Sequence, residues 1–245
     1  MECYKDLSYL YDKLIYDDIN YKEISNYIIN KYKQYSSENL LYLDLACGTG
    51  NISVHLAKYF KDTFLVDLSE DMLIEASDKM RKEKVKFKIL CQDMTELNLN
   101  RKFNLITCVL DSTNYILEKN ELISYFRGVY NHLDNGGVFI FDINSSYKIK
   151  TILGDNIYSY NTEEIFYTWE NSLEDDIVDM YLTFFVKEGE LYRRFEEHHT
   201  ERAYDEKELE SILRDSGFEI MEKHDGYSDE PLSEKSERIV YIVRK

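Results

Sequence analysis

Leu41-Tyr42-Leu43-Asp44-Leu45-Ala46-Cys47-Gly48-Thr49-Gly50-Asn51 reads as a short apolar strand that runs into a tight glycine turn. Ile52, Leu56 and Phe60 then mark the buried face of a helix. Two glycines one residue apart let main-chain N–H groups approach a ligand, because glycine admits positive φ and carries no side chain. The turn is therefore a ligand loop of an α/β fold. A phosphate loop would need Gly-x-x-x-x-Gly-Lys-Ser/Thr, and no lysine stands at that place after Gly50. A dinucleotide fingerprint would put a third small residue where Ser53 stands, which makes the match weak.

The same stretch closely resembles the first motif of the class I S-adenosylmethionine-dependent methyltransferases, Leu-Asp-Leu-Gly-Cys-Gly-Thr-Gly in its commonest form, with Ala46 as the only departure. The entry to a later strand, Leu133-Asp134-Asn135-Gly136-Gly137, resembles the family's Leu-x-Pro-Gly-Gly with Asn135 in place of proline. The resemblance spans residues 40–145 and implies a Rossmann-like, seven-stranded, mostly parallel sheet with helices on both faces. It implies S-adenosylmethionine as cofactor, held by Asp44, Ala46, Cys47, Gly48, Gly50 and Asn51, and by Leu68, Met72, Met94 and Leu110 further on. Tyr11 and Tyr21 match a leader whose tyrosines cover the methionine end of that cofactor.

Several of these positions also have a reading of their own. The strand Thr63-Phe64-Leu65-Val66 ends at Asp67, where nucleotide-binding α/β folds place an acid that accepts hydrogen bonds from a ribose diol. The alternative for Asp67 is a simple turn cap. Ser69 caps a helix carrying Met72, Leu73, Ala76 and Met80 on one face. Val85, Phe87 and Ile89 alternate along a third strand, after which Asp93 resembles the family's contact to the adenine amino group, with a turn aspartate as the alternative. Phe103 to Leu110 is a nearly unbroken apolar run, the signature of a strand covered on both faces. The polar cluster Asp111-Ser112-Thr113-Asn114-Tyr115 follows at its carboxyl end, where open α/β sheets bind ligands. Asp111, Asn114 and Tyr115, with Asn144 and Arg202, are the expected acceptor-binding residues.

Three regions are expected: an N-terminal helical cover over 1–36, a core over 37–145 and 205–245, and an antiparallel β insertion over 146–204. Within the insertion Val178, Met180, Leu182, Phe184 and Val186 alternate, a glycine turn follows, and Leu191 to Tyr204 returns as a strand polar on both faces. That hairpin is either a lid over the substrate or a dimer surface. A sulfonium-activated methyl group needs alignment more than acid–base chemistry, so a base matters only for removing a proton from the acceptor. His198 and His199 are the candidates.

With 245 residues and 44% hydrophobic content the chain forms one substantial core. Cys3, Cys47, Cys91 and Cys108 lack C-x-x-C spacing and read as packing thiols, with no metal site. The net charge of −17 opposes binding to nucleic acid or an anionic membrane. No signal leader or spanning run is read, which predicts a cytoplasmic protein, monomeric or homodimeric, acting on a small molecule. The sequence supports an S-adenosylmethionine-dependent methyltransferase acting on a nitrogen or oxygen atom. A non-catalytic sensor of the same cofactor and, less well, a nicotinamide-dependent oxidoreductase are the alternatives.

Overall fold

The computed structural model describes residues 19–245; the expectation for Tyr11 lies outside them. Helix α1 (Tyr21–Tyr35) opens the described chain, its N-terminus capped by Asn20 accepting from Glu23 N–H at 3.1 Å. A βα rhythm follows through β1 (Leu41–Leu45), α2 (Asn51–Leu56), β2 (Asp62–Asp67), α3 (Glu70–Lys82), β3 (Phe87–Cys91), β4 (Phe103–Cys108), α4 (Lys119–His132) and β5 (Leu133–Asn144). The insertion carries β6 (Ile157–Asn161), β7 (Ile165–Glu174), β8 (Ile177–Glu188) and β9 (Leu191–Arg202). Helix α5 (Glu206–Asp215), β10 (Glu219–Asp225) and β11 (Arg238–Arg244) close the chain.

The main sheet has seven strands in the order β10-β11-β5-β4-β1-β2-β3, and β11 alone runs antiparallel to its neighbours. The alternation of side chains along its strands separates two cores. On one face Leu43, Leu45, Ile106, Phe139 and Phe141 pack against α4 and α5 through Tyr125, Phe126, Leu209 and Leu213. On the other, Tyr42, Leu105, Ile140 and Val240 pack against α1 and α2 through Ile28, Tyr32, Ile52 and Leu56. Helix α3 covers Leu65 with Ala76 and Met80 on this second face. The chain leaves β1 for β2 and β3, then crosses back to pair β4 with β1, so the strand order reverses beside β1. Ligands of open α/β sheets bind at the carboxyl ends of strands at such a reversal.

Local chemistry sets the helix ends, beginning with the Ser69 cap expected from the sequence. Ser69 Oγ accepts from Met72 N–H and Asp205 Oδ1 from Glu208 N–H. Gly217, at φ +102°, stops α5 with Phe218 N–H bonded to Leu213 O at 3.1 Å.

Four readings need correction. Asn135-Gly136-Gly137 has the glycines of a helix stop, but α4 already ends at His132 and these residues lie inside β5, where the β4–β5 register jumps from Phe103↔Leu133 to Leu105↔Val138, so they bulge the strand's entry. The insertion is a four-stranded antiparallel sheet in the order β6-β7-β8-β9. Its first two strands escape a period-two reading because β7 carries aromatic residues on both faces: Phe166 packs on Phe185 and Tyr167 on Phe184. Strand β9 is polar in sequence yet one-sided in structure, with Phe195, Glu197, His199 and Glu201 buried and Glu196 and His198 exposed. Cys91 is exposed because β3 is an edge strand, whereas Cys108 is buried in β4. The inner ends of β8 and β9 are covered by their own chain, since Val178, Met180 and Ala203 pack on Ile149 and Leu153 of the π-helical turn Lys148–Leu153.

Candidate active site

A cavity of about 650 Å³ opens at the carboxyl ends of β1, β2, β3 and β4, a volume in the range of small-ligand sites. Its floor is the β1–α2 loop. Gly48 (φ +53°) and Gly50 (φ +78°) take left-handed backbone there, and Gly50 N–H bonds back to Cys47 O at 2.9 Å. A Cβ placed on Gly48 would meet nothing within 4 Å, which leaves the space above the loop to a ligand. Gly50 is outside the lining, and a Cβ on it would stand 3.0 Å from that of Ala76, so it is the close-packing point between loop and α3.

Beneath the loop Asp44 is 1% exposed. Its carboxylate accepts from Thr107 Oγ1 at 2.7 Å and from Ser53 Oγ. Burial pushes its carboxyl up to about 6, against the pull of those hydroxyls. Ser53, which fails the dinucleotide pattern, is thus the residue that seats Asp44.

Asp67, at the tip of β2, accepts from Gly48 N–H at 2.8 Å and from Ser69 N–H at 2.9 Å. Burial raises its carboxyl and those N–H bonds oppose the rise. One carboxylate oxygen bonds each N–H, and each oxygen keeps a lone pair for a ligand hydroxyl. Asp93 caps a 3₁₀ turn, Met94–Glu96, with Oδ1 accepting from Thr95 N–H and Oγ1 at 2.8 and 2.7 Å. Leu68 stands 64% exposed beside the cavity, where Met72 and Met94 complete an apolar wall. Cys47 also lines the space, but burial and the charge of Asp67 push its thiol well up, so it stands there as a neutral thiol.

Of the residues expected around the cofactor, Asp44, Ala46, Cys47, Gly48, Asn51, Asp67, Leu68, Met72, Asp93, Met94, Leu110 and Tyr21 line this cavity. Asp111 and Tyr115 line it too, on the side of β4. Residues 43–137 match the model of a methyltransferase domain. A Geobacillus sp. (strain WCH70) protein that carries a methyltransferase name is 36% identical over 254 aligned positions, covering 99% of this chain and 99% of that one. An S-adenosylmethionine-dependent methyltransferase of known crystal structure from Clostridium acetobutylicum ATCC 824 superposes with a TM-score of 0.93 at 50% identity, over 98% of each chain. The chain belongs to the S-adenosylmethionine-dependent methyltransferases. A further relative is the dTDP-3-amino-3,4,6-trideoxy-alpha-D-glucopyranose N,N-dimethyltransferase of Streptomyces venezuelae, 37% identical over 98 residues and 40% of each chain.

The residues fit that cofactor. A nucleoside needs a diol acceptor and an apolar slot, which Asp67 and the Leu68–Met72–Met94 wall offer. The cationic methionine end needs negative charge, which Asp44 offers from below.

Not every expected residue of the methyltransferase reaches the cavity. Asn114 is fully buried, donating to Asn144 O and Arg202 O and accepting from Asn144 N–H at 2.9 Å, so its amide pins β5 to β9. Asn144 donates to Glu201 at 2.8 Å, and Arg202 donates to Leu117 O at 2.7 Å. His198 lies on the exposed side of β9, stacked on Tyr181 and bonded to Asp179 at 2.8 Å, which corrects its reading as a catalytic base. His199 is buried behind Tyr115, its Nδ1 3.3 Å from the tyrosine hydroxyl. The acidic lining residues Glu70, Asp71 and Glu121 were not singled out from sequence, being ordinary first-turn helix acids in α3 and α4. Among the described residues no group of His, Cys, Asp and Glu is arranged to hold a metal, and no helix is long and apolar enough to cross a membrane.

Two expected outcomes follow for the methyltransferase. Asp67→Ala removes a charged acceptor and frees Gly48 N–H, so isothermal titration should show S-adenosylmethionine binding weakened by roughly 1 to 3 kcal/mol; unchanged affinity would take Asp67 out of the site. Burial lowers the His199 imidazole from 6.5 to about 4. A base with a depressed folded pKa contributes stability that is complete above its unfolded pKa and is lost as pH falls through the folded one. Thermal scans should therefore show the wild-type protein losing on the order of 3 kcal/mol between pH 6.5 and 4 that His199→Gln does not lose. Parallel curves for the two proteins would mean that His199 is solvated.

Proposed function

We propose that this methyltransferase transfers the methyl group to a nitrogen or oxygen atom of a small-molecule acceptor, and that the atom is an amine nitrogen. The observation that carries this is the charge of the cavity wall. Asp44, Asp67, Glu70, Asp71, Asp93, Asp111 and Glu121 line it, and among its described lining residues there is no lysine, arginine or histidine. Such a wall attracts an ammonium and repels a phosphate or carboxylate. With Asp44, Asp67 and Asp93 given to the cofactor, Glu70, Asp71, Asp111 and Glu121 remain; Glu70 and Asp71 follow the cofactor strand β2, so Asp111 and Glu121, which follow β4, are left to receive the acceptor. The amino-sugar relative named above supports the same choice of atom.

Bound S-adenosylmethionine supplies a methyl group already activated on a sulfonium sulfur. The chain's own part is to orient the amine and exclude water. An acceptor that enters as an ammonium must lose a proton before its nitrogen can attack, and Glu121, with the Asp111 oxygen that Arg238 does not hold, is placed to take it. His199, neutral near pH 7, stands behind the Tyr115 hydroxyl as a second acceptor. The net charge of −17 argues against nucleic acid as the acceptor.

The test is transfer of labelled methyl groups to a panel of small amines, alcohols, carboxylic acids and transfer RNA, read as product mass and S-adenosylhomocysteine release. Turnover confined to amines is the expected result. Turnover with alcohols, carboxylic acids or transfer RNA in preference to amines would overturn the proposal, and cofactor binding without turnover on any amine would favour the sensor.

A further inference from the structure

Leu110 and Asp111, the two residues that carry the chain from β4 into the cavity wall, both lie in left-handed backbone, at φ +59° and +58°. Neither is glycine, so each Cβ opposes the conformation, and two such residues in succession persist only where their surroundings impose them. What imposes them is one carboxylate. Asp142, fully buried near the end of β5, accepts from Leu110 N–H through Oδ2 at 2.7 Å and from Asp111 N–H through Oδ1 at 2.6 Å.

The carboxylate is itself held from two further elements. Arg238, at the start of β11, donates from Nη1 to Asp142 Oδ1 and from Nη2 to Asp111 Oδ1 at 2.6 Å, so one guanidinium ties the loop's side chain to the residue that shapes its backbone. Tyr227, from the segment between β10 and β11, donates its hydroxyl to Asp142 Oδ2. Leu110 N–H also lies 3.4 Å from that hydroxyl. The β5–β11 pairing sets Asp142 opposite Val240, which puts Arg238 two residues along on the same face. Asp142 is absent from the cavity lining, whereas Leu110 and Asp111 are part of it.

We propose that Asp142 is a positioning residue for cofactor and acceptor: its carboxylate, seated by Arg238 and Tyr227, fixes the left-handed Leu110–Asp111 step and so sets where both residues stand in the cavity. A carboxylate is required because both N–H groups need an acceptor at once and Arg238 needs its charge. An asparagine of the same shape would turn an NH₂ group toward one of those donors.

The inference rests on the cofactor occupying this cavity and is independent of the acceptor's identity, so it is tested with S-adenosylmethionine alone on the full chain. In Asp142→Asn the dissociation constant from isothermal titration should rise about 10-fold, and amide exchange of the peptide covering residues 109–113 should quicken by a similar factor. Phe139→Leu is the comparison: it opens the core that Phe139 shares with Tyr125, Phe141 and Phe218, costs thermal stability, and should leave the dissociation constant as it is. Wild-type affinity and exchange in Asp142→Asn would overturn the proposal, as would an equal loss of affinity in Phe139→Leu. If Asp142→Asn does not fold, Tyr227→Phe removes one support and should raise the dissociation constant about 3-fold with faster exchange at 109–113. Wild-type values there would likewise overturn it. Failure of the unmodified protein to bind S-adenosylmethionine would count against the cofactor site itself and is read separately.

Discussion

Asp44→Ala should raise the dissociation constant for S-adenosylmethionine at least 100-fold while the protein stays folded. The side chain sits at the end of β1 beneath the glycine loop and is 1% exposed. Its removal takes a buried charge from beneath the cavity floor, and it removes the acceptor to which the Ser53 and Thr107 hydroxyls both donate. A buried charge–dipole interaction is stronger than its counterpart in water, and each stranded donor costs roughly 1 to 3 kcal/mol if nothing replaces the carboxylate. Thr107 retains a contact to Tyr42 OH at 2.7 Å, so Ser53 is the hydroxyl left without a partner. Asp44→Asn should be milder, since its carbonyl still accepts from one of the two. Isothermal titration of both variants separates charge from shape, and an Asp44→Ala protein that binds as tightly as wild type would remove Asp44 from the site.

The second large effect is on folding. Gly50→Val should lower the melting temperature by roughly 10 °C, on the scale of a few kcal/mol lost in a chain of this size. Two costs add. The residue stands at φ +78°, which a β-branched side chain resists, and its Cβ would lie 3.0 Å from Ala76 Cβ and 3.2 Å from Ala76 Cα. The second contact is to backbone, so α3 itself must move off β2. Gly48 differs, because a Cβ there meets no protein atom within 4 Å. Substitution at Gly48 should therefore weaken the cofactor more than the fold. Differential scanning calorimetry of Gly50→Val and Gly48→Val side by side reads the contrast, and equal melting temperatures would contradict it.

The parts of the structure that were legible in the sequence are those specified by local chemistry. The Leu41–Asn51 stretch, the Ser69 cap and the apolar run of β4 each depend on residues close in sequence. From them the succession of β1, β2, β3 and β4 along the chain follows. The parts that were not legible depend on residues far apart. Asp142 reads as the end of a buried strand, and only the crossing of β4, β5 and β11 shows that it holds Leu110 and Asp111. Asn114 looked like active-site rim because polar residues after a central strand usually are, yet its amide is used on Asn144 and Arg202. In β9 the polar row Glu197-His198-His199-Thr200-Glu201 gave no inside or outside, since burial there is decided by Tyr115 and Asn144 on other elements. His198 and His199 are neighbours in sequence and point to opposite faces of one strand, so a reading that named both had to lose one.

The acidic cavity wall belongs to the same class. Glu70 and Asp71 are first-turn acids of α3 and Glu121 a first-turn acid of α4, positions where negative charge complements the helix dipole. Their second role appears only when both helix N-termini are brought to the carboxyl ends of the strands. The fold thus places acids in the cavity by the same rule that places them at helix starts.

The account is tested most directly by a crystal structure of the full chain with S-adenosylhomocysteine. It predicts the ribose hydroxyls on the Asp67 carboxylate, the adenine between Leu68 and Met94 with Asp93 at its amino group, and the amino acid end over Gly48 and Asp44. An adenosine moiety seated away from Asp67, or a ligand bound outside the carboxyl ends of β1, β2, β3 and β4, would contradict it.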